Sequence, residues 1–415
     1  MGGFYKLGKE YTYRQFGKKI GSMTDKVIQK RYNNHVIVID EVHNLAKIKN
    51  ILTGTGKKNP RTYDRIHKFL HTVEGCKVLL LSGTPMRNKV SDIASVMNLI
   101  LPMKEQLPTG TDFVNKHGYF VSPKEDKDLH LLTKTGADRL RYAFKGRVSY
   151  LRATTSDVER KFFGTRIAIP GLEQSFKVWE STMSPFQTRA YNRAWQRDHD
   201  SGKDKSGYYL NSRQASLFIF PPTSQTDNPT WGSEGFGKYI TKTQNKVHYL
   251  IKKRKVGSKY NWTESGKKLR KEIAAGGIPA LAKYSCKYAA TCKIIEKAIE
   301  DKKLVFIFNE SVEGGGIILF SLILKALKYK LVSKPPNKSS EKTFAILTGD
   351  TSNISAIINS FNRPDNLDGS RINIIIGSQA VAEGVSLKNV QVEIVQTPWF
   401  NYAKIDQALA RGYRF

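Results

Sequence analysis

The sequence predicts an α/β protein with two lobes, each built on a parallel sheet, and three observations carry that expectation. Four consecutive apolar residues, Val36 to Ile39, stop at the adjacent acids Asp40 and Glu41. A second apolar run, Val78 to Leu81, stops at Ser82, Gly83, Thr84 and Pro85. From residue 287 onward, helical patterns alternate with short apolar runs. Short continuous runs of β-branched residues read as strands buried on both faces, and their alternation with helices reads as a parallel sheet.

The first lobe is justified element by element. In YTYRQFGKKI, the residues Tyr13, Phe16 and Ile20 fall at helical spacing and suit a core face; the same aromatics among Arg and Lys could also stack on nucleic acid. The strand 36–39 follows. Residues 61–72 place Tyr63, Ile66, Phe69 and Leu70 on one helical face, and the strand 78–81 comes next. A further helix carries Val90, Ile93, Val96, Met97 and Ile100 and ends before Pro102. LRYAFKGRVSYLRA at 140–153 mixes basic and aromatic residues, and TTSDVERK then breaks the apolar pattern, which places a domain boundary near 155.

The middle of the chain is less regular. RIAIPGLEQSFKVWEST could hold two strands, and MSPFQTRAYNRAW reads as a helix opened by Ser184 and Pro185. Residues 200–270 are rich in Gly, Lys and Ser with weak periodicity, the pattern of an insertion. KKRKV at 252–256 resembles a nuclear-import cluster, but reads more simply as a solvated or phosphate-touching basic loop.

Regular alternation then returns. KYAATCKIIEKAIE is an amphipathic helix and KLVFIFN a buried strand. A helix over 311–329 is entered through Gly314, Gly315 and Gly316, which could either admit a phosphate to backbone N–H groups or permit close packing. TFAILTG, RINIIIGSQ and VQVEIVQTPW are further strands, with a short helix at 355–361. The last helix starts near Asn401, and Gln407, Arg411 and Arg414 share one face of it at offsets of four, three and seven.

Bulk properties narrow the partners. The chain has 68 Lys plus Arg against 36 Asp plus Glu, a net charge of +32, which points to a polyanion and most simply to nucleic acid. Cys76, Cys286 and Cys292 form neither a zinc spacing nor an even disulfide set, so a reducing compartment fits. MGGFYKLGKE lacks the apolar core of a signal peptide. The longest apolar run, IILFSLILKAL, is interrupted by Lys325 and is too short for a membrane span. No membrane partner is expected.

The chemistry starts at 40–43. Open α/β sheets bind ligands at the carboxyl ends of their strands, where Asp40 and Glu41 would sit. In nucleotide hydrolysis one acid can hold Mg2+ and a second can polarise the attacking water. DEVH at 40–43 resembles motif II of superfamily 2 helicases, the Walker B strand of the DExH type. LLLSGTPMRN at 79–88 resembles motif III, GSQAVAEGVSL at 377–387 motif V, and QALARGYR at 407–414 motif VI. The wording of IDEVHNL, LSGTPM and FIFNESVEGGG is most similar to helicase-like proteins of large cytoplasmic DNA viruses, of the early transcription factor and nucleoside triphosphatase types.

The resemblance implies two RecA-like lobes, the first incomplete at its N-terminus, with an irregular insertion between them. The expected domains are 1–155, with motifs II and III; 156–285, the start of the second lobe plus insertion; and 286–415, with motifs IV to VI. ATP and Mg2+ would bind between the lobes. Asp40 would hold the metal, Glu41 would direct water, and His43 with Ser82, Gly83 and Thr84 would couple nucleotide to nucleic acid. Glu383, Gly384 and Gln407 would face the nucleotide, and Gln379 and Ser386 the nucleic acid. Arg411 and Arg414 would stabilise charge on the transferring phosphoryl group. The family usually has Gly where Ala410 stands. The partners implied are DNA or RNA and a viral RNA polymerase or transcription-factor subunit, in a cytoplasmic viral factory or virion.

One expected motif is missing. No Gly-x-x-x-x-Gly-Lys-Ser/Thr phosphate cradle occurs in residues 1–39, and TGTGKK at 53–58 has Lys58 where Ser or Thr is needed. The expectation is a fragment without its P-loop, ending just after motif VI and showing little ATPase activity alone. A non-catalytic nucleic-acid-binding module that keeps the helicase fold is the alternative.

Overall fold

The computed structural model describes residues 11–47, 62–83, 85–86, 91–110, 112–113, 120–121, 131–150, 161–167, 176–200, 209–244, 258–349, 351, 353–378, 385–398, 405 and 409. The chain divides into two compact units, Met1–Thr155 and Ser156–Phe415.

In the first unit, Thr12 caps the helix Tyr13–Gly21. Its hydroxyl accepts from Gln15 N at 3.3 Å, while Gln15 Oε1 accepts from Thr12 N at 3.1 Å. Phe16 on this helix meets Phe69 edge-on, with centroids 5.0 Å apart. Phe69 belongs to the helix Thr62–Thr72, which also buries Ile66 and Leu70. These residues cover one face of a parallel strand pair, Val36–Ile39 beside Lys77–Leu80, with Ile39 opposite Leu80.

Here the structure corrects the sequence reading. Val36 is 71% exposed and Val38 56%, and Leu79 and Leu81 are exposed as well. Successive side chains of a strand point to opposite faces. Ile37, Ile39, Val78 and Leu80 therefore face the helices. Nothing among the described residues covers the other face, so this strand is buried on one side instead of two.

The second unit carries a five-stranded, all-parallel sheet. The spatial order is Lys330–Leu331, Thr343–Leu347, Ile374–Gly377, Leu304–Phe308, Val390–Val395. Both faces are covered. Val305, Ile307, Ile374 and Ile376 pack into one apolar cluster, and Leu304, Phe306, Ala345 and Ile375 pack into another. The chain enters at Leu304–Phe308, crosses to the far edge, winds back to its neighbour, and then crosses to its opposite side. The connections that leave the neighbouring strands Leu304–Phe308 and Ile374–Gly377 run in opposite directions, and such a divergence opens a crevice at the strands' carboxyl ends.

The stretch expected to be irregular is partly core. It contains the helices Leu210–Leu217 and Gly232–Tyr239 and a hairpin, Ile240–Gln244 with Ser258–Trp262. Phe218, Phe220, Phe236 and Tyr239 are buried in the same cluster as the sheet. Their aromatic spacing follows no single helical or strand period, which hid them from pattern reading. The KKRKV segment lies outside the described residues.

Two further expectations resolve. The apolar run 317–327 is the helix Ile317–Ala326, packed inside the unit with Ile317 to Leu324 all buried. No described helix is long and apolar enough to cross a membrane. The helix starts at Ile317, so the three glycines form the turn that precedes it.

Candidate active site

Asp40 and Glu41 follow the last residue of the strand Val36–Ile39. The ladder runs on past both strands: Leu81 N donates to Ile39 O at 2.9 Å, and Val42 N donates to Leu81 O at 3.0 Å. Between those two pins the backbone turns at Glu41, whose φ of +49° is in the left-handed region that non-glycine residues rarely adopt. Strain of this kind costs about 1–3 kcal/mol and persists where the surroundings over-determine it. Asp40 is exposed, and its Oδ1 accepts from Glu41 N at 2.9 Å. The Tyr13 hydroxyl donates to the Asp40 carbonyl, which fixes the strand end to the first helix.

His43 links the two strand ends. Its ring is buried, with Nδ1 at 2.9 Å from Ser82 Oγ and 3.3 Å from Glu41 Oε2. Which of Nδ1 and the Ser82 hydroxyl donates depends on the ring tautomer. Glu41, His43 and Ser82 are thus one contact set, with Asp40 beside it on the same turn. Gly83 is exposed, and a Cβ there would meet nothing within 4 Å.

A single exposed carboxylate at a strand end suits Mg2+, which keeps much of its water shell and takes one or two carboxylates plus substrate phosphates. Among the described residues no group of three His, Cys, Asp or Glu could by itself hold a metal. Asp40 fits the first kind of site and not a dedicated protein cage.

In the second unit, polar side chains gather at the carboxyl ends of the central strands. Asn309 Nδ2 donates to Gln396 Oε1 at 2.9 Å, and Glu310 N donates to Thr397 Oγ1 at 2.8 Å. Arg213 pairs with Glu310 at 2.6 Å. Gln214 donates to Ser311 Oγ at 2.9 Å and accepts from Gly315 N at 3.3 Å. Glu313 receives both Lys242 Nζ and the Tyr260 hydroxyl at 2.7 Å, so the hairpin holds the loop after Phe308. A Cβ on Gly316 would overlap the Ser311 backbone, which favours the packing role for the glycines. Ser386 is described, and its carbonyl accepts from Asn362 Nδ2 at 2.9 Å.

The structure therefore brings Glu41, His43 and Ser82 into contact, next to Asp40 and Gly83. Thr84, Gln379, Glu383, Gly384, Gln407, Arg411 and Arg414 lie outside the described residues, as does the TGTGKK stretch. Sequence reasoning read Tyr13 as a core residue or a base-stacking one, and missed its hydroxyl's bond to the Asp40 carbonyl. It also missed Asn309, Gln396 and Thr397, which carry no motif and declare themselves only once strand order is known.

Residues 286–415 match the helicase conserved C-terminal domain. Over 403 residues, 97% of this chain, the sequence is 31% identical to the candidate helicase 009L of Frog virus 3 (isolate Goorha), of which it covers 35%. It is 30% identical to the candidate helicase 087L of Invertebrate iridescent virus 3, covering 97% of this chain and 35% of that protein. It is 25% identical to nucleoside triphosphatase I of Heliothis armigera entomopoxvirus, over 92% of this chain and 53% of that protein. The chain thus spans about a third to a half of the length of these relatives. Among solved structures, the C-terminal part of the Fun30 ATPase domain overlaps it at a TM-score of 0.33 and 16% identity, over 56% of this chain and 78% of that one. The lobe assignment rests on the parallel strand order instead. Residues 286–415 thus match a helicase C-terminal domain, and nearly the whole chain is similar to helicase-like proteins of large DNA viruses.

Proposed function

We propose that this chain is part of an ATP-dependent nucleic-acid translocase or helicase that serves viral transcription, as an early transcription factor or a nucleoside triphosphatase. The observation that carries the proposal is the contact set at the carboxyl end of the first strand pair: Glu41 and Ser82 on one His43 nitrogen, beside the exposed carboxylate of Asp40. Mg2+ held by Asp40 would neutralise phosphate charge. Glu41 orients the attacking water. His43 reports the state of Glu41 to Ser82 and so to the segment that follows the second strand. Arg411 and Arg414 stabilise the transition state.

The charge of +32 supports a nucleic-acid partner. A viral polymerase or transcription-factor subunit is the proposed protein partner, and the viral factory or virion the proposed place of action. The second reading is a nucleic-acid-binding module that keeps the helicase fold without turnover, which the charge of +32 fits equally. The test is nucleic-acid-stimulated ATP hydrolysis by the full-length protein carrying Glu41→Gln. Turnover should fall at least a hundredfold while ATP still binds, on the order of the loss seen when one positioned transition-state group is removed. Undiminished turnover would overturn the assignment, and a wild-type protein without turnover would favour the binding module.

A further inference from the structure

The helix Pro185–Asp200 presents Trp195, 46% exposed, and His199 one turn later. Their rings lie 3.5 Å apart between centroids, tilted by 30°. Tyr209, 53% exposed, adds a third ring with its centroid 5.4 Å from that of His199. His199 covers one face of the indole, so the exposed part of Trp195 is its other face and rim. The three exposed residues make a ladder of tilted rings, with 42° between His199 and Tyr209.

The ladder is built, not incidental. Gln187, Ala190 and Ala194 form the buried side of the same helix, so the indole stands outside the core. Asp198 is turned into the fold. It accepts from Asn211 N and Nδ2 at 3.2 and 2.8 Å, and from Ser212 N and Oγ at 2.8 and 2.7 Å. Burial pushes its carboxyl up, but these hydrogen bonds outweigh it, and the net shift is below the ordinary carboxylate value. The bonds cap the helix Leu210–Leu217 and fix Tyr209, at a left-handed φ of +54°, against the end of the first helix. Asn211 Oδ1 in turn accepts from Trp231 Nε1 at 3.1 Å, and the Arg197 guanidinium lies 5.0 Å over the Trp231 ring. Arg189 and Arg197 are exposed on the same helix; Arg197 is 3.9 Å from Glu234.

We propose that Trp195, His199 and Tyr209 form a stacking platform for the unpaired bases of a single-stranded nucleic acid. This rests on the nucleic-acid part of the proposed function and not on its ATP chemistry. Every base has a π face, so stacking on aromatic rings tolerates any sequence. A pre-ordered ladder loses little entropy when a base adds to it. A duplex keeps its bases stacked on one another and cannot use the platform.

The test is fluorescence anisotropy of the full-length protein with labelled oligo-dT, oligo-U and a duplex, each of about 16 nucleotides or pairs, the upper end of common site sizes. Trp195→Ala combined with Tyr209→Ala should weaken single-strand binding roughly tenfold or more, and Trp195→Phe should restore most of it. Duplex affinity and melting temperature should not change, because both rings are half exposed. Equal losses on oligo-dT and oligo-U support the shared stacking chemistry, and a larger loss on one names the natural strand. Unchanged single-strand binding, or an equal loss on duplex with a lowered melting temperature, would overturn the platform alone. A wild-type protein that binds no strand would instead overturn the nucleic-acid reading beneath it.

Discussion

Replacing Gly316 with alanine tests whether the glycines before the helix Ile317–Ala326 are a packing joint or a phosphate cradle. The added Cβ would lie 2.0 Å from the Ser311 carbonyl oxygen, 2.4 Å from its carbon and 2.8 Å from Ser311 Cβ. The first two are backbone atoms, so no rotamer change relieves the overlap, and the 311–316 turn must move. That movement strains the bond from Ile317 N to Ser311 O, now 2.9 Å, and the bonds from the buried Tyr288 hydroxyl to the Gly315 and Gly316 carbonyls. Overpacking costs about 1–3 kcal/mol and a weakened buried hydrogen bond about 1 kcal/mol. At about 2–4 °C per kcal/mol for a unit of this size, the melting temperature should fall by about 4–16 °C. Thermal melts followed by circular dichroism, with amide exchange at 311–326, would measure it. Nucleic-acid affinity, taken well below the melt, should hold. A preserved melting temperature with lost affinity would refute the packing argument.

Other perturbations check other parts of the account. Phe220→Ala removes a fully buried ring whose centroid is 5.0 Å from that of Phe218 and 5.3 Å from that of Tyr239. It should cost about 3–5 kcal/mol in urea unfolding, and a surface insertion would lose almost nothing. Asp365 is held between Arg371 and Arg363, each at 2.8 Å, and their hydrogen bonds drive its carboxyl far below the ordinary carboxylate range. A depressed folded value means that its stabilisation is present above the unfolded value near ~3.9 and is lost as pH falls below it. Asp365→Asn should therefore flatten the acid side of the unfolding midpoint against pH, and an unchanged acid side would contradict the pairing. Nucleic-acid affinity should fall linearly and steeply with the logarithm of salt concentration, since phosphate contacts release counterions; a flat dependence would contradict the basic surface as a binding face.

Much of the fold was legible because it follows period and punctuation. The runs VIVI, LVFIF and IIIG are strands, and LVFIF and IIIG are buried on both faces, because each is short, β-branched or aromatic, and bounded by polar turns. The first strand departed from this pattern. Sequence shows that Val36 and Val38 are apolar, but not whether a neighbour covers their face. The region 209–244 was hidden for a different reason. Thr, Ser, Gly, Pro and Gln make up half of its residues, while scattered aromatics do much of the packing. At the site, DEVH and Ser82 were readable as motif and turn. The contact of His43 with both Glu41 and Ser82 depends on register between strands about forty residues apart, which no local pattern encodes. The Asn309–Gln396 pair likewise needs the crossover that sets the final strand beside Leu304–Phe308.

The central claim is that the strand end at Asp40 handles a metal-bound nucleotide. Its most direct test is Mn2+ binding, read by electron paramagnetic resonance, in the full-length protein with ATP present. Asp40→Asn should weaken nucleotide-dependent Mn2+ binding and turnover together, with the melting temperature unchanged because the carboxylate is exposed. Mn2+ affinity and turnover that both match the wild type would contradict the account.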